Sequence, residues 1–285
     1  MSNSSEGRMV RNLMQALIVV FLLLVCAGLL LPGVSRVRGA AARMSCVNHL
    51  RQISLAVHNY ADIHDGNQPH YFPSGTLVNP ALQAEQRLSW MVILLPYMEQ
   101  DNLYKKLDVN EGWESPKNRV AVDTPVKVYR CPSQVPPPEG SGSGRTSYFG
   151  IAGIGAHAAE LPLSNRLCGF FGYDRRITLA DIKDGTSCTF IAIEAPDKTT
   201  HWAAGGLATV RGVDPNVQPY LGESGPFGLA HIDRDPLPWD FGRRPRLTNA
   251  AMADGSVRPI NASIDPRVFE ALATIAGGEE VPVDW

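Results

Sequence analysis

The longest apolar run of the chain lies near its start, from Leu13 to Leu31, and Gln15 is its only strongly polar side chain. At about 1.5 Å per residue, a helix over this run is about 28 Å long, close to the thickness of a bilayer core. The run leads into Pro32 and Gly33 rather than into the small-residue cleavage site of a signal peptide. The pattern therefore predicts a permanent membrane anchor at residues 13–31, preceded by a short N-terminal segment, residues 1–12.

A second helical pattern follows this run. Apolar side chains recur at steps of four and three residues, as they do on one face of an amphipathic helix. They are Cys46, Leu50, Ile53, Val57 and Tyr60. This stripe predicts that residues 32–65 continue the helix outside the membrane and pack on a core. We expect a kink at Pro32 and the end of the helix at the turn signal of residues 65–67.

The remaining chain, residues 66–285, alternates between helical and strand patterns. Helices are predicted over residues 88–104, on both sides of Pro96, and over residues 264–276, with Asp265 as N-cap. Strands are predicted at residues 126–130, 146–151, 187–193 and 207–210, and on both sides of the turn at Asp254 and Gly255. Residues 132–144, rich in Pro, Gly and Ser, predict an exposed loop. The predicted fold class is α+β: a long, membrane-anchored N-terminal helix packed on an antiparallel, β-rich head.

Composition narrows the possible partners and leaves the compartment open. The formal net charge is −2, which argues against a nucleic-acid partner because phosphate binding needs a concentrated basic face. Cationic residues on both sides of the apolar run leave its orientation undecided. Cys26 lies inside the run, so four cysteines remain for the soluble part. An even number permits two disulfides in an exported domain, and buried free thiols of a cytosolic protein are the alternative.

The sequence contains little that indicates catalysis. It has no P-loop, no H-E-x-x-H motif and no G-x-S-x-G motif. We therefore predict that the protein is not an enzyme and uses no metal or cofactor. Four tryptophans leave a glycan-binding face open, with core packing as the alternative; they are Trp90, Trp113, Trp202 and Trp239.

Several segments are similar, in order, to a large bacterial family of prepilin-like exported proteins of unknown function, sometimes filed as a solute-binding family. The segments are residues 29–60 (LLLPGVSRVRGAAARMSCVNHLRQISLAVHNY), SWMVILLPYMEQDN from Ser89, YRCPS from Tyr129, TSYFG from Thr146, ITLADIKDGTSCT from Ile177, and residues 254–278. The resemblance implies a pilin- or pseudopilin-like fold with its amino terminus in the cytoplasm and its head outside. It implies no chemistry.

The chain departs from this family at its processing and assembly positions. The glycine at which prepilin peptidase cuts falls on Val10, the following phenylalanine on Arg11, and the glutamate that pairs with a neighbouring subunit on Gln15. We therefore expect neither the usual processing nor the usual entry into a filament. The family's C-terminal signature is a histidine, nine intervening residues and then Asp-Gly, and Arg244 replaces the histidine before Asp254 and Gly255. Arginine stays protonated and donates only, so an acid/base or ligand role at this position is not expected here.

The family pattern also suggests how the cysteines pair. Cys46 and Cys131 fall on family positions, whereas Cys168 and Cys188 do not. We expect two bridges, Cys46–Cys131 between the helix and the head, and Cys168–Cys188.

Together these patterns predict a non-enzymatic, membrane-anchored extracytoplasmic protein of the pseudopilin type, with an assembly or envelope role. The alternative is a membrane-anchored module that binds a solute or a glycan. The expected location is the bacterial inner membrane, crossed once, with the head periplasmic or surface-exposed. Expected partners are membrane lipid along residues 13–31 and pseudopilin-like or envelope proteins, with no nucleic acid.

Overall fold

The computed structural model describes residues 3–63, 70–132, 144–195, 200–222, 225–228 and 247–282. Within the first helix, the side chains of residues 3–10, 27, 29–36 and 38 lie outside this description, and so does the kink expected at Pro32. The chain divides into two compact units, of which the first contains residues 1–42 and the second begins at Arg43.

The described elements form an α+β fold, as predicted. The α-helices are α1 (Asn3–Ile63), α2 (Trp90–Leu94), α3 (Asp101–Tyr104), α4 (Arg119–Val122) and α5 (Pro266–Ala273). The strands are β1 (Tyr148–Ile154), β2 (Phe190–Glu194), β3 (Val210–Val213), β4 (Leu247–Met252) and β5 (Val257–Asn261). Short 3-10 turns connect several of them.

In the first unit, α1 presents apolar side chains to its surroundings. Every described residue from Arg11 to Cys26 is exposed, and Phe21 and Leu24 keep 66% of their surface accessible. Among the residues that the structure describes, none of the helices has the length and apolarity needed to cross a membrane. The span at residues 13–31 therefore stays a prediction.

In the second unit, the C-terminal part of α1 packs on the core with the stripe that its sequence pattern indicates. Cys46, Leu50, Ile53 and Val57 are completely buried, and Tyr60 is 8% exposed. The helix ends at Ile63, immediately before the predicted turn. The 3.6-residue period of apolar positions therefore predicted the buried face correctly, because residues at this spacing lie on one side of a helix.

The five strands form one mixed sheet in the order β3-β1-β2-β4-β5. Three neighbouring pairs are antiparallel, but β3 runs parallel to β1, with Gly150 opposite Val210. The expectation of a purely antiparallel sheet is therefore wrong. After β2 the chain crosses to the free edge of β1, and β3 runs there in the direction of β1.

The middle strands of this sheet are buried on both faces. In β4 and directly after it, Ala251 and Ala253 belong to the apolar cluster that contains the α1 stripe. Ala250 and Met252 belong instead to the cluster that contains Phe269 and Leu272 of α5. A strand covered on both faces carries apolar residues without alternation, which accounts for the run of small apolar residues here.

Several of the predicted strands differ from the structure. The strand predicted at residues 187–193 begins at Phe190, because residues 186–188 form a 3-10 turn. Residues 126–130 form a 3-10 turn, Lys127–Tyr129, instead of a strand. Val126 and Tyr129 are both buried, and the Tyr129 hydroxyl donates to the Met91 carbonyl at 2.6 Å, an arrangement that a three-residue period satisfies. The strand predicted at residues 207–210 begins at Val210, because residues 206–208 form a turn.

Other local predictions are confirmed. Residues 88–104 form α2, a 3-10 turn containing Pro96, and α3. Helix α5 begins with Pro266 after the N-cap Asp265, whose side chain accepts from the Arg267 amide at 2.8 Å. The turn at Asp254 and Gly255 joins β4 to β5 as a hairpin.

A single carboxylate ties the chain that follows α5 to the segment that precedes β2. Asp184 accepts from the Thr274 hydroxyl at 3.0 Å, from the Gly277 amide at 2.7 Å and from the Gly278 amide at 2.9 Å. Since an ionised carboxylate makes strong hydrogen bonds, these three contacts fix the C-terminal segment against the head.

We expect Asp184→Ala to lower the free energy of unfolding by about 2–3 kcal/mol, because two backbone amides lose their acceptor. The Thr274 hydroxyl loses one of its two acceptors and keeps the Ala271 carbonyl. Asp174→Ala serves as the control, since Asp174 is 61% exposed and makes one ion pair, with Arg87. Its cost should stay below about 1 kcal/mol. Urea unfolding of the full chain measures both, and equal losses would contradict this role of Asp184.

Candidate functional site

A disulfide joins α1 to the head. Cys46 and Cys131 are bonded, with their Cα atoms 5.2 Å apart and the two residues 85 positions apart in sequence. Cys46 belongs to the buried stripe of α1, and Cys131 follows the turn Lys127–Tyr129. The predicted bridge between helix and head is confirmed.

The second predicted bridge is wrong, since Cys168 and Cys188 are both free thiols. Cys168 is buried in the cluster that contains the α1 stripe, where its thiol contacts the Leu163 carbonyl at 3.7 Å. Cys188 packs instead against the cluster that contains α5. Burial raises the pKa of the Cys168 thiol, so this cysteine stays protonated and unreactive.

A cleft of about 600 Å³ lies beside the disulfide. One wall is a face of α1, and the other is the segment that leads to Cys131. The lining residues are Ser45, Asn48, His49 and Gln52 on α1, and Pro125, Lys127, Arg130, Cys131 and Pro132 on the opposite wall. Because the disulfide lies at its edge, both walls are covalently held in place.

His49 connects the two walls. Its Nδ1 lies 3.0 Å from the Arg130 carbonyl oxygen, which accepts only, so Nδ1 carries the proton. Burial lowers the pKa of His49, and the nearby Lys127 lowers it further, against the opposing effects of the Arg130 carbonyl and the Glu194 carboxylate. His49 is therefore neutral at pH 7, with its Nε2 lone pair available as an acceptor.

Two cations give the cleft a positive charge. Lys127 is exposed, and Arg130 is half-buried, with a buried Nε that has no hydrogen-bond partner in the structure. Within the described part of the chain, neither cation pairs with a carboxylate, and no Asp or Glu lines the cleft. This arrangement suits a negatively charged ligand.

A buried carboxylate lies next to the disulfide. Glu194, at the end of β2, is completely buried and accepts from the Asn249 amide at 2.8 Å and from its side-chain Nδ2 at 3.0 Å. Its carboxylate lies within 4.8 Å of both disulfide sulfurs, the spacing of a metal site. Each sulfur is bonded to the other, however, so neither is the thiolate that a metal requires.

The C-terminal signature is only partly described. Asp254 and Gly255 form the tip of the β4–β5 hairpin, where Gly255 has φ +85° and Asp254 accepts from the Ser256 amide at 2.9 Å. The tip lies close to Ser54 and His58 of α1. Arg244 lies outside the described residues. Asp254 therefore has a local role in the turn.

The degenerate processing positions contribute no site in the described structure. Arg11 and Gln15 are exposed on α1, and the side chain of Val10 lies outside the description. The tryptophans do not form a glycan-binding face among the described residues: Trp90 and Trp202 are completely buried, and the Trp113 indole donates to the Glu85 carbonyl at 2.8 Å. Trp239 lies outside the description.

The residues that form the cleft were missed by sequence reasoning. His49 and Arg130 are 81 residues apart, so no local motif contains both. The signal that could have found them is their position beside the paired cysteines, since His49 follows Cys46 by three residues and Arg130 directly precedes Cys131.

The head is an α+β domain. The buried stripe of α1 and the Cys46–Cys131 disulfide attach the helix to it. The model of a family of proteins of unknown function, DUF1559, matches residues 35–222, well over half of the chain. The protein belongs to this family. No curated protein and no solved structure matches the chain.

We expect three thiols to react in the unfolded, unreduced protein, those of Cys26, Cys168 and Cys188, and five after reduction. Mass spectrometry after alkylation in denaturant counts them. A single reactive thiol before reduction would restore the Cys168–Cys188 bridge, and five would exclude the Cys46–Cys131 bridge.

Proposed function

We propose that the protein is a permanently membrane-anchored, extracytoplasmic member of its family, of the pseudopilin type, with a non-enzymatic role in assembly or in the cell envelope. In this proposal, α1 enters the bacterial inner membrane with its amino terminus on the cytoplasmic side. The head then lies in the periplasm or at the surface.

The observation that carries the proposal is the exposure of apolar side chains along the first half of α1. Eleven residues here are large, hydrophobic and at least 41% exposed: Leu13, Met14 and the nine consecutive residues 17–25. Single exposed leucines are common on soluble proteins, but a contiguous apolar patch indicates a membrane or a protein partner. A bilayer covers a helix on all sides, which matches this distribution.

The disulfide supports the extracytoplasmic location of the head. Cys46–Cys131 joins two buried positions of the core. Structural disulfides form and persist in oxidising compartments and are rare in the cytosol. A bridge between α1 and the head therefore favours a head outside the cytoplasm.

The pseudopilin type is supported by the sequence resemblance and by a long N-terminal helix whose second half packs on a β-containing head. Val10 and Gln15, in place of the usual glycine and glutamate, favour a fixed anchor over a processed filament subunit. The long helix and its head would then serve attachment and contact with other envelope proteins.

The cleft beside the disulfide favours a second function for the same anchored protein, the binding of a small solute by the head. Its volume of about 600 Å³ lies within the range of ligand pockets. Six of its nine lining residues carry polar or charged side chains, and none is a tryptophan. The proposed binding therefore differs from the tryptophan-lined glycan face that was considered from the sequence.

We expect the full chain to stay in the membrane pellet after alkaline extraction, and the double variant Leu17→Arg/Leu24→Arg to move to the soluble fraction. Each arginine near the centre of a span costs about 2.5–3.5 kcal/mol. The matched control is Val120→Arg/Leu163→Arg, which places two arginines at exposed apolar positions of the head and should stay in the pellet. Wild-type protein in the soluble fraction would refute the anchor.

We expect the intact mass of the membrane-extracted protein to include the residues that precede Val10, apart from Met1. Prepilin peptidase cuts after a glycine, which this position lacks. Restoring the glycine with Val10→Gly provides the comparison variant. Loss of the first ten residues from the wild-type chain would instead favour a processed subunit.

A further inference from the structure

We propose that the cleft between α1 and residues 125–132 binds a small solute through an oxyanion group, a carboxylate, phosphate or sulfate, held by Arg130 and Lys127. The inference deepens the solute-binding candidate and does not depend on the anchor. It follows from the charge, the hydrogen-bonding capacity and the rigidity of the cleft.

Some other lysines of the head are paired with carboxylates. Lys117 pairs with Asp108 and with Glu111, at 3.1 and 2.8 Å, and Lys105 pairs with Asp101. Lys127 and Arg130 instead face one cleft without an acidic side chain among its described lining residues. An anion bound in the cleft would be attracted by both positive charges.

Arg130 adds a requirement for an acceptor. Its Nε is buried and has no partner, which is costly for a guanidinium N–H group. The guanidinium offers a planar set of donors that matches the paired oxygens of carboxylate, phosphate and sulfate groups. An oxyanion in the cleft would supply the acceptor that the protein does not.

The α1 wall supplies neutral polar groups for the rest of the solute. Asn48 and Gln52 are exposed, and both amides face the cleft from one side of the helix because they are four residues apart. His49 adds the acceptor Nε2. A volume of about 600 Å³ exceeds that of a bare oxyanion, so these groups have room to contact a sugar-sized body.

The disulfide makes the cleft rigid before the ligand arrives. Cys131 lies in the lining, and Cys46 lies between lining residues Ser45 and Asn48. A preformed site avoids the entropy that ordering two walls would cost on binding.

Calorimetry on the full chain in detergent, with sodium sulfate, sodium glucuronate and glucose as probes at pH 7.5, tests the proposal. We expect sulfate and glucuronate to bind and to compete with each other, and glucose to bind at least about tenfold more weakly than glucuronate. Competition shows a shared oxyanion position, whereas stronger binding of glucuronate than of sulfate shows that the body of the solute contributes.

Arg130→Gln and Lys127→Gln should each weaken sulfate binding about tenfold, since each removes a charged donor. Lys127 is exposed, so its variant should keep the fold even if Arg130→Gln does not. Lys106→Gln, at an exposed lysine outside the cleft lining, is the matched control and should bind as the wild type does. Equal binding by all three variants, or no binding of either anion, would overturn the proposal.

A pH series gives an independent readout. His49 faces Lys127, Arg130 and Glu194, and its protonation turns Nε2 from an acceptor into a donor. Because burial lowers the pKa of His49 from its ordinary value, sulfate affinity should rise only when the pH is made acidic enough to protonate this lowered-pKa group. Sulfate keeps its charge over this range, so the protein is the titrating partner. His49→Gln should remove the rise, and an unchanged pH profile in that variant would exclude His49 from the site.

Discussion

The burial of one stripe of α1 against the sheet is the interaction on which the rest of the head depends. Cys46, Leu50, Ile53 and Val57 are inaccessible to solvent and share a cluster with residues of β1, β2 and β4. Burying such side chains stabilises by about 1.5–3 kcal/mol each. The disulfide lies at the end of this stripe and fixes the position of the helix along the sheet. The position of the cleft follows from this packing, because one of its walls is the neighbouring face of the same helix.

Polar residues in strands that are buried on both faces need hydrogen-bond partners inside the protein. Glu194 is the clearest case, because a carboxylate in the interior needs donors to stay there. Asn249 of β4 supplies a backbone and a side-chain donor. The Glu194 carboxylate acts to raise the pKa of His49, against the larger lowering effect of burial. Burial is the main cause of the raised pKa of Tyr148, and the Glu194 carboxylate adds to it. The core and the cleft are therefore electrostatically connected.

The sequence predicted those features that depend on neighbouring residues. The α1 stripe, the Asp254–Gly255 hairpin and the capped start of α5 each follow from a short period or from the chemistry of a cap. Features that depend on residues far apart in the sequence were harder to predict. The parallel position of β3 depends on which strand edges are free, and the free thiols of Cys168 and Cys188 depend on which cluster each one joins. The turn Lys127–Tyr129 resembles a strand in sequence because its apolar residues are β-branched or aromatic.

The sequence separation of 85 between Cys46 and Cys131 has a consequence for the order in which the protein matures. A ribosome makes the α1 stripe long before it makes the strands that cover it, and Cys46 has no native partner until Cys131 has been synthesised. During that interval the stripe is uncovered and the thiol of Cys46 is unpaired. The nascent chain is then most vulnerable to aggregation and to wrong pairing with Cys26, so the yield of native protein should depend on how quickly the head follows its helix.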